Sequence, residues 1–192
     1  MSETDQRILD ETLVRESLAG NHEAFGRLVT TYQRRLTSYL QQILGEYEQA
    51  REISQESFIR AWSALDRYNP SFRFSTWLFR IGHNLAIDAL RKRRLKTTSM
   101  HRETQDGEER ELNLPDPGKN PLELMENAEM ASELREAINT LSEEYRELIL
   151  LRHFACLSYQ EMADFKEMPL GTIKNKLFRA HSVLRSTMAA HR

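Results

Sequence analysis

A single cysteine, Cys156, excludes an internal disulfide and every zinc framework built on paired cysteines, and it points to a reducing compartment. No stretch approaches the roughly 18 apolar residues that a membrane helix needs, so direct insertion into a bilayer is not expected. The amino terminus, MSETDQRILDETLV, lacks the basic start and apolar run of a secretion signal, and we expect a cytoplasmic chain. Alternating apolar and polar runs are scarce as well, which argues against sheets, and no internal repeat is visible. The histidines, at 22, 83, 101, 153, 181 and 191, never form an i, i+4 pair with neighbouring carboxylates, so neither a metal nor another cofactor is expected.

What the chain does have is helical periodicity. Leu13, Leu18, Phe25, Leu28, Val29, Tyr32, Leu36, Leu40 and Ile43 recur at three- and four-residue intervals, and an all-α fold follows. With 192 residues, 40% of them hydrophobic, the chain can bury globular cores as one domain or as two small ones. The net charge of -2 hides segregation. Arg91, Lys92, Arg93, Arg94 and Lys96 are nearly consecutive, while Glu103, Asp106, Glu108, Glu109 and Glu111 follow soon after. From Thr97 to about Asn127 the sequence is polar, carries Pro115, Pro117, Gly118 and Pro121, and loses its periodicity. The reading is therefore two helical domains, 1–97 and 129–192, joined by a flexible acidic linker over 98–128.

In the second domain, Ser158 suits the N-cap of a helix running to about Phe165, and Pro169 suits the opening of the next, as in a helix-turn-helix. On that next helix Ile173, Leu177, Ala180 and Leu184 share one face, with Lys174, Asn175, Phe178, Arg179 and Ser182 opposite. Two cations, a base-reading amide and an outward aromatic suit a major groove, and Gly171 and Thr172 would offer backbone amides and a hydroxyl to phosphates. A plain solvated face is the alternative.

The stretch FSTWLFRIGHNLAIDALRKRRLK, 74–96, reads as a helix starting near Trp77 with Ser75 and Thr76 as caps. Trp77, Leu78, Ile81, Leu85 and Ala89 form its apolar face, with Arg80, His83, Asn84, Ile87 and Arg91 roughly opposite. His83 and Asp88 point about 140° apart on an ideal helix, so they do not form a catalytic dyad. The cations at its end complement the helix dipole, yet exceed what that needs, and phosphate binding fits them better. Upstream, LDRYNPSFRF interleaves Tyr68, Phe72 and Phe74 with Arg67 and Arg73, a composition suited to unstacked bases, although aromatics at a helix start are often core. EISQESFIRAWSAL, 52–65, puts Ile53, Ser57, Ala61, Ala64 and Leu65 on one side and Glu52, Gln55, Glu56, Ile59 and Arg60 on the other. An apolar Ile59 within that charged surface fits a protein partner.

These segments in this order resemble the sigma-70 family, specifically the two-domain extracytoplasmic-function (ECF) sigma factors. The resemblance runs through LVRESLAGNHEAFGRLVTTY, EISQESFIRAWSAL, STWLFRIGHNLAIDALRKRR, LREAINTLSEEYRELILLRHFACLSYQEMA and PLGTIKNKLFRAH. It implies a non-enzymatic initiation factor that binds core RNA polymerase, directs it to promoters and helps melt the minus-10 region. Glu52, Gln55, Glu56, Ile59 and Arg60 would face the clamp helices of the β′ subunit. Tyr68, Asn69, Phe72, Arg73, Phe74, Arg80, His83, Asn84, Arg91 and Arg94 would open and read single- and double-stranded minus-10 DNA. Gly171, Thr172, Lys174, Asn175, Phe178 and Arg179 would serve the minus-35 major groove, with the same domain meeting the β flap. It also implies an anti-sigma protein, often membrane-attached. The sequence departs from the family pattern at Lys166 and Glu167, where leucine and glycine are common, and at Cys156, where glycine is common. Cys156 is read as a small, partly buried residue, with a redox role as the alternative. Asn21 replaces a frequent aspartate at a helix cap. A free-standing helix-turn-helix regulator with an amino-terminal sensing or dimerisation domain is the rival reading, but it has no need of the acidic helix or the aromatic loop. A pure adaptor would leave the outward cations of the last helix unexplained.

Overall fold

The computed structural model describes residues 3–100 and 128–190. Among these residues it contains eight α-helices, one 3-10 turn and no strand: α1 (Glu3–Leu18), α2 (His22–Leu44), α3 (Tyr47–Ser63), η1 (Leu65–Arg67), α4 (Phe74–Met100), α5 (Ala128–Thr140), α6 (Glu143–His153), α7 (Tyr159–Lys166) and α8 (Leu170–Ala190). Most of the acidic stretch read as a linker lies outside the described residues. No described helix is long and apolar enough to cross a membrane.

The first four helices form one bundle. The Asn21 side chain accepts from the backbone N–H groups of Glu23 and Ala24 and so starts α2, and Gly45, in the left-handed region at φ 77°, ends it with an N–H to the Gln41 carbonyl. Between these caps Leu28, Tyr32, Leu36, Tyr39 and Leu40 fall on one side and are buried. Helix α3 packs on α2 with small residues, Ala50, Ser54, Ser57 and Ala61, around Phe58. Across both lies α4. Gly82 is its point of closest approach, since a Cβ placed there would stand 2.9 Å from Leu36 Cδ1 and 3.1 Å from Ser57 Oγ. That crossing buries Leu78, Phe79 and Ala86 of α4.

Helix α4 starts at Phe74, three residues before the position expected from Ser75 and Thr76 as caps. Both are buried in the first turn instead, and the Trp77 N–H reaches the Arg73 carbonyl at 3.2 Å. Ser75 is taken up by a partner from another part of the chain, which the local sequence could not reveal.

In the carboxy-terminal domain the Ser158 cap is reciprocal. Its hydroxyl accepts from the Glu161 N–H at 3.3 Å, while the Glu161 carboxylate accepts from the Ser158 N–H at 2.9 Å. The Pro169 carbonyl opens α8 by accepting from Thr172 and Ile173. Ile173, Leu177 and Ala180 then turn inward against Leu148, Leu151, Leu157 and Met162.

The two turns flanking α7 both use left-handed backbone at residues with a Cβ: Cys156 at φ 51° and Glu167 at φ 53°. These are the positions where the resemblance led one to expect glycine, and the conformation supplies the reason, because a Cβ is disfavoured there by about 1–2 kcal/mol. Cys156 is also exposed rather than partly buried. Cys156→Gly and Glu167→Gly should each therefore raise the free energy of unfolding by up to about 1 kcal/mol in urea titrations.

His153 and His181 link α6 to α8, with their Nε2 atoms 2.9 Å apart, so one ring donates to the other. Burial lowers both pKa values from 6.5, with His181 and Arg152 adding to the shift at His153 and Arg185 and Arg152 adding to it at His181. A histidine pKa lowered by folding favours the native state above 6.5 and loses that contribution as pH falls below it. The thermal midpoint should accordingly fall on acidification through that window, and His181→Gln should flatten the fall.

Candidate nucleic-acid interface

Three surfaces carry the residues singled out by sequence. On α3 the outward side holds Glu52, Gln55, Ile59 and Arg60, all exposed, with half-buried Glu56 beside them. Arg60 Nε lies 2.7 Å from Glu56 Oε1, a helical ion pair that fixes the two charges next to the isoleucine. Ile59 is 61% exposed, so an apolar spot stands open within a charged patch. Trp62 borders it, resting edge-on against Phe25 at 4.9 Å.

The second surface is the loop before α4 and the outward side of that helix. Asn69 Oδ1 accepts from the Ser71 N–H at 2.9 Å, and the Phe72 N–H reaches the Asn69 carbonyl at 3.1 Å. The Tyr68 hydroxyl closes the same turn by donating to the Phe72 carbonyl at 2.6 Å. Burial, with Glu11 and Asp10 nearby, pushes the Tyr68 phenol up to about 12. This tight turn leaves Phe72 42% exposed, while Asn69 is exposed and Arg73 half-buried.

Phe74 corrects the expectation. It is 1% exposed and packs against Tyr32, Tyr68 and Trp77 with ring centroids 5.8–5.9 Å apart, so it anchors the loop and offers no face to a base here. Of the loop's three aromatics only Phe72 presents substantial surface.

Along α4 the outward residues divide in two. Asn84, Ile87, Arg91 and Arg94 are exposed, and Arg91 pairs with Asp88 at 2.9 Å, one helical turn away. Arg80 and His83 are covered by the carboxy-terminal domain. The Arg80 guanidinium donates to the backbone carbonyls of Asp164, at 2.6 Å, and Phe165, at 3.1 Å, and stands 3.3 Å from the Glu167 carboxylate. His83 lies 2.9 Å from the Tyr39 hydroxyl through Nδ1, 3.8 Å from Glu147 through Nε2, and edge-on to the Phe165 ring. Burial lowers the His83 pKa, Glu147 opposes that shift, and Lys166 reinforces it. A cleft of about 290 Å³ remains between Arg80, His83 and Asn84 on one side and Glu147, Phe165, Lys166 and Glu167 on the other.

The third surface is α8. Gly171, Lys174, Asn175, Phe178 and Arg179 are exposed and Thr172 half-buried. Phe178 stands 75% open. By contrast Lys176, on the flank, is held by Glu144 at 2.5 Å. Among the described residues no group of three or more metal-ligating side chains gathers at any of these surfaces.

Sequence reasoning missed the residues that join the domains. Arg35 of α2 donates to the carbonyl of Ala155 and, at 3.2 Å, to that of Cys156, with its guanidinium over the rings of Tyr32 and Phe79. Ser75 donates to Glu161, both nearly fully buried, and Glu147 is paired with Lys166 beside His83. No local pattern marks such residues, because each partner in the other domain lies more than 60 positions away.

The exposure pattern separates two kinds of substitution. Phe74→Ala should destabilise the chain by about 3–5 kcal/mol in chemical denaturation. Ile59→Ala and Phe178→Ala should change stability by no more than about 0.5 kcal/mol.

The chain matches two family models, sigma-70 region 2 over residues 28–96 and sigma-70 region 4 over residues 131–181. It is 30% identical over 177 residues to the RNA polymerase sigma-H factor of Pseudomonas aeruginosa, covering 91% of each chain. To the ECF RNA polymerase sigma-E factor of Escherichia coli it is 30% identical over 184 residues, covering 93% of this chain and 94% of the relative. To the ECF RNA polymerase sigma factor SigW of Bacillus subtilis it is 28% identical over 179 residues, covering 91% and 94%. Among solved structures it is similar to CnrH in complex with the cytosolic domain of CnrY, with a TM-score of 0.68, 25% identity and coverage of 96% and 99%. RpoE in complex with the anti-sigma factor NepR from Bartonella quintana shares the fold, with a TM-score of 0.65 at 22% identity over 88% of this chain and 98% of that one.

Proposed function

The chain belongs to the ECF sigma factors, which bind core RNA polymerase and direct it to promoters, and we propose that its three surfaces divide this work among the residues named above. The family is not an enzyme class. Residues 1–97 form the unit that engages the polymerase and the minus-10 element, 98–128 the tether, and 129–192 the unit for the minus-35 element. The chain acts in the cytoplasm.

The observation that carries this reading is the outward face of α8. Lys174, Asn175, Phe178 and Arg179 stand exposed together while Ile173, Leu177 and Ala180 anchor the helix. No side-chain hydrogen bond or ion pair within the described residues occupies the two cations, and a helix carrying a base-reading amide between them fits a major groove. Gly171 and Thr172 at its start suit phosphate oxygens.

On α3, exposed Ile59 framed by the Glu56–Arg60 pair suits a helical partner such as the clamp helices, with Glu52 and Gln55 as its polar rim. Around α4, Phe72 offers the open ring for an unstacked base beside the Arg73 cation, with Tyr68 and Asn69 shaping its turn and Phe74 anchoring it. Arg80, Arg91 and Arg94 supply cations along the helix, Asn84 an amide and His83 an imidazole. The similar CnrH was solved holding the cytosolic domain of CnrY, which supports restraint of this chain by an anti-sigma protein, one attached to the membrane.

Run-off transcription with core polymerase tests the reading. The chain should yield promoter-dependent transcripts from a template library, and their absence from every template would overturn it. Arg179→Ala should weaken minus-35 recognition by about 1–3 kcal/mol at one base position if the side chain reads a base, whereas equal losses on all sequences would mark a phosphate contact. Ile59→Glu should weaken binding to core polymerase by about 1 kcal/mol or more without DNA present.

A further inference from the structure

Along α8 the residues Lys174, Phe178, His181 and Arg185 stand at i, i+4, i+7 and i+11, so they form one stripe, and the first two belong to the outward face already described. Beside the far end of this stripe α6 brings up Arg152 and His153. His153 is exposed and His181 half-buried. Their Nε2 atoms lie 2.9 Å apart with the ring centroids at 5.2 Å, so the two nitrogens aim at each other. Such a contact holds one proton between two lone pairs, and the rings titrate as a pair. The charges that act on it are cations from both helices, Arg152 of α6 and Arg185 of α8, and they add to the effect of burial in lowering both pKa values from 6.5. Arg152 is fixed in place, donating to the Leu157 carbonyl at 2.9 Å with its guanidinium 5.0 Å from the Tyr159 ring of α7. At the adjoining turn the Cys156 thiol lies 3.6 Å from the His153 carbonyl. Two guanidiniums and two imidazoles drawn together make surroundings that an anion improves. A major groove is bordered by phosphates, and this corner stands at the border of the face that fits one.

We propose that Arg152, His153, His181 and Arg185 form a phosphate-binding corner beside the outward face of α8, and that the imidazole pair takes up a proton from solution when a DNA backbone phosphate enters it. This rests on the reading of α8 as a DNA-binding helix. Above pH 6.5 the free pair is mostly uncharged and its ring nitrogens satisfy each other. A phosphate oxygen against the rings favours the charged form, which donates to it. The bound chain therefore holds more protons than the free chain, and affinity for DNA rises as pH falls through this window, levelling off once the free pair is charged as well. The same acidification that costs the folded chain stability tightens its hold on DNA.

Fluorescence anisotropy of a short duplex of mixed sequence, carrying a dye insensitive to pH, tests this with the full-length chain. Kd should fall roughly tenfold between about pH 8 and pH 5.5, as uptake of one proton requires. Over the same interval the slope of log Kd against log salt should steepen by about one, the mark of one more phosphate neutralised. A chain carrying both His153→Gln and His181→Gln should keep its pH 8 affinity throughout. His181→Arg, whose charge is fixed, should bind at pH 8 about as tightly as the parent binds at pH 5.5. In NMR of the parent chain, the His181 ring protons should titrate at higher pH with the duplex than without it, a readout that needs no variant to fold. An affinity independent of pH, or a ring titration that the duplex leaves in place, would overturn the phosphate corner and leave the reading of α8 intact. A pH dependence that survives in the folded double-glutamine variant would assign the proton elsewhere and overturn it too. Failure to bind the duplex at every pH would overturn the reading of α8 and the corner with it.

Discussion

The missing side chain at position 82 decides how near α4 can lie to α2 and α3. A Cβ at that point would stand 2.9 Å from Leu36 Cδ1 and 3.1 Å from Ser57 Oγ, so any larger residue would force those side chains to move. The nesting allows Leu78, Phe79 and Ala86 to disappear into the bundle and turns Arg80, His83 and Asn84 to the far side. Seated in this way, α4 gives its inner side to the core and turns its outer side toward the carboxy-terminal domain.

Arg80, Ser75 and His83 meet that domain directly. The contact is mostly polar, built from guanidinium-to-carbonyl bonds, a buried hydroxyl-to-carboxylate bond and the Glu147–Lys166 pair beside His83. Polar contacts of this sort are exchanged at small net cost when an equivalent set of acceptors is supplied, because the desolvated donors are never left unpaired. DNA phosphates are such a set. The buried side chains of the two domains nevertheless form one contiguous cluster, with Phe165 of α7 against His83, so the contact is packed as well as hydrogen-bonded.

The helices, their inner faces and the cap at Ser158 were legible in the sequence because they depend on residues three or four apart. The apolar side of α8 and the Glu56–Arg60 pair were legible for the same reason. The two glycine-preferring positions were visible as departures from the family pattern, and the positive φ angles at Cys156 and Glu167 give those departures a physical meaning. Phe74 and Ser75 were misread because their surroundings come from elsewhere: the rings of Tyr32, Tyr68 and Trp77 enclose the one, and Glu161 takes the hydroxyl of the other. Periodicity cannot say which outward residues face solvent and which face a second domain, and for that reason Arg80 and Asn84, neighbours on one wheel, have different environments.

A sigma factor with one α4 surface serving two partners predicts that the neighbours of that surface change with state. A photo-crosslinking phenylalanine derivative placed at Asn84, on the rim of the cleft shared with Phe165 and Glu167, reports those neighbours in each state. It should join to α7 in the free chain and to the minus-10 DNA once polymerase and promoter are present. The same internal product in both states, or no product with DNA, would contradict the dual use of α4.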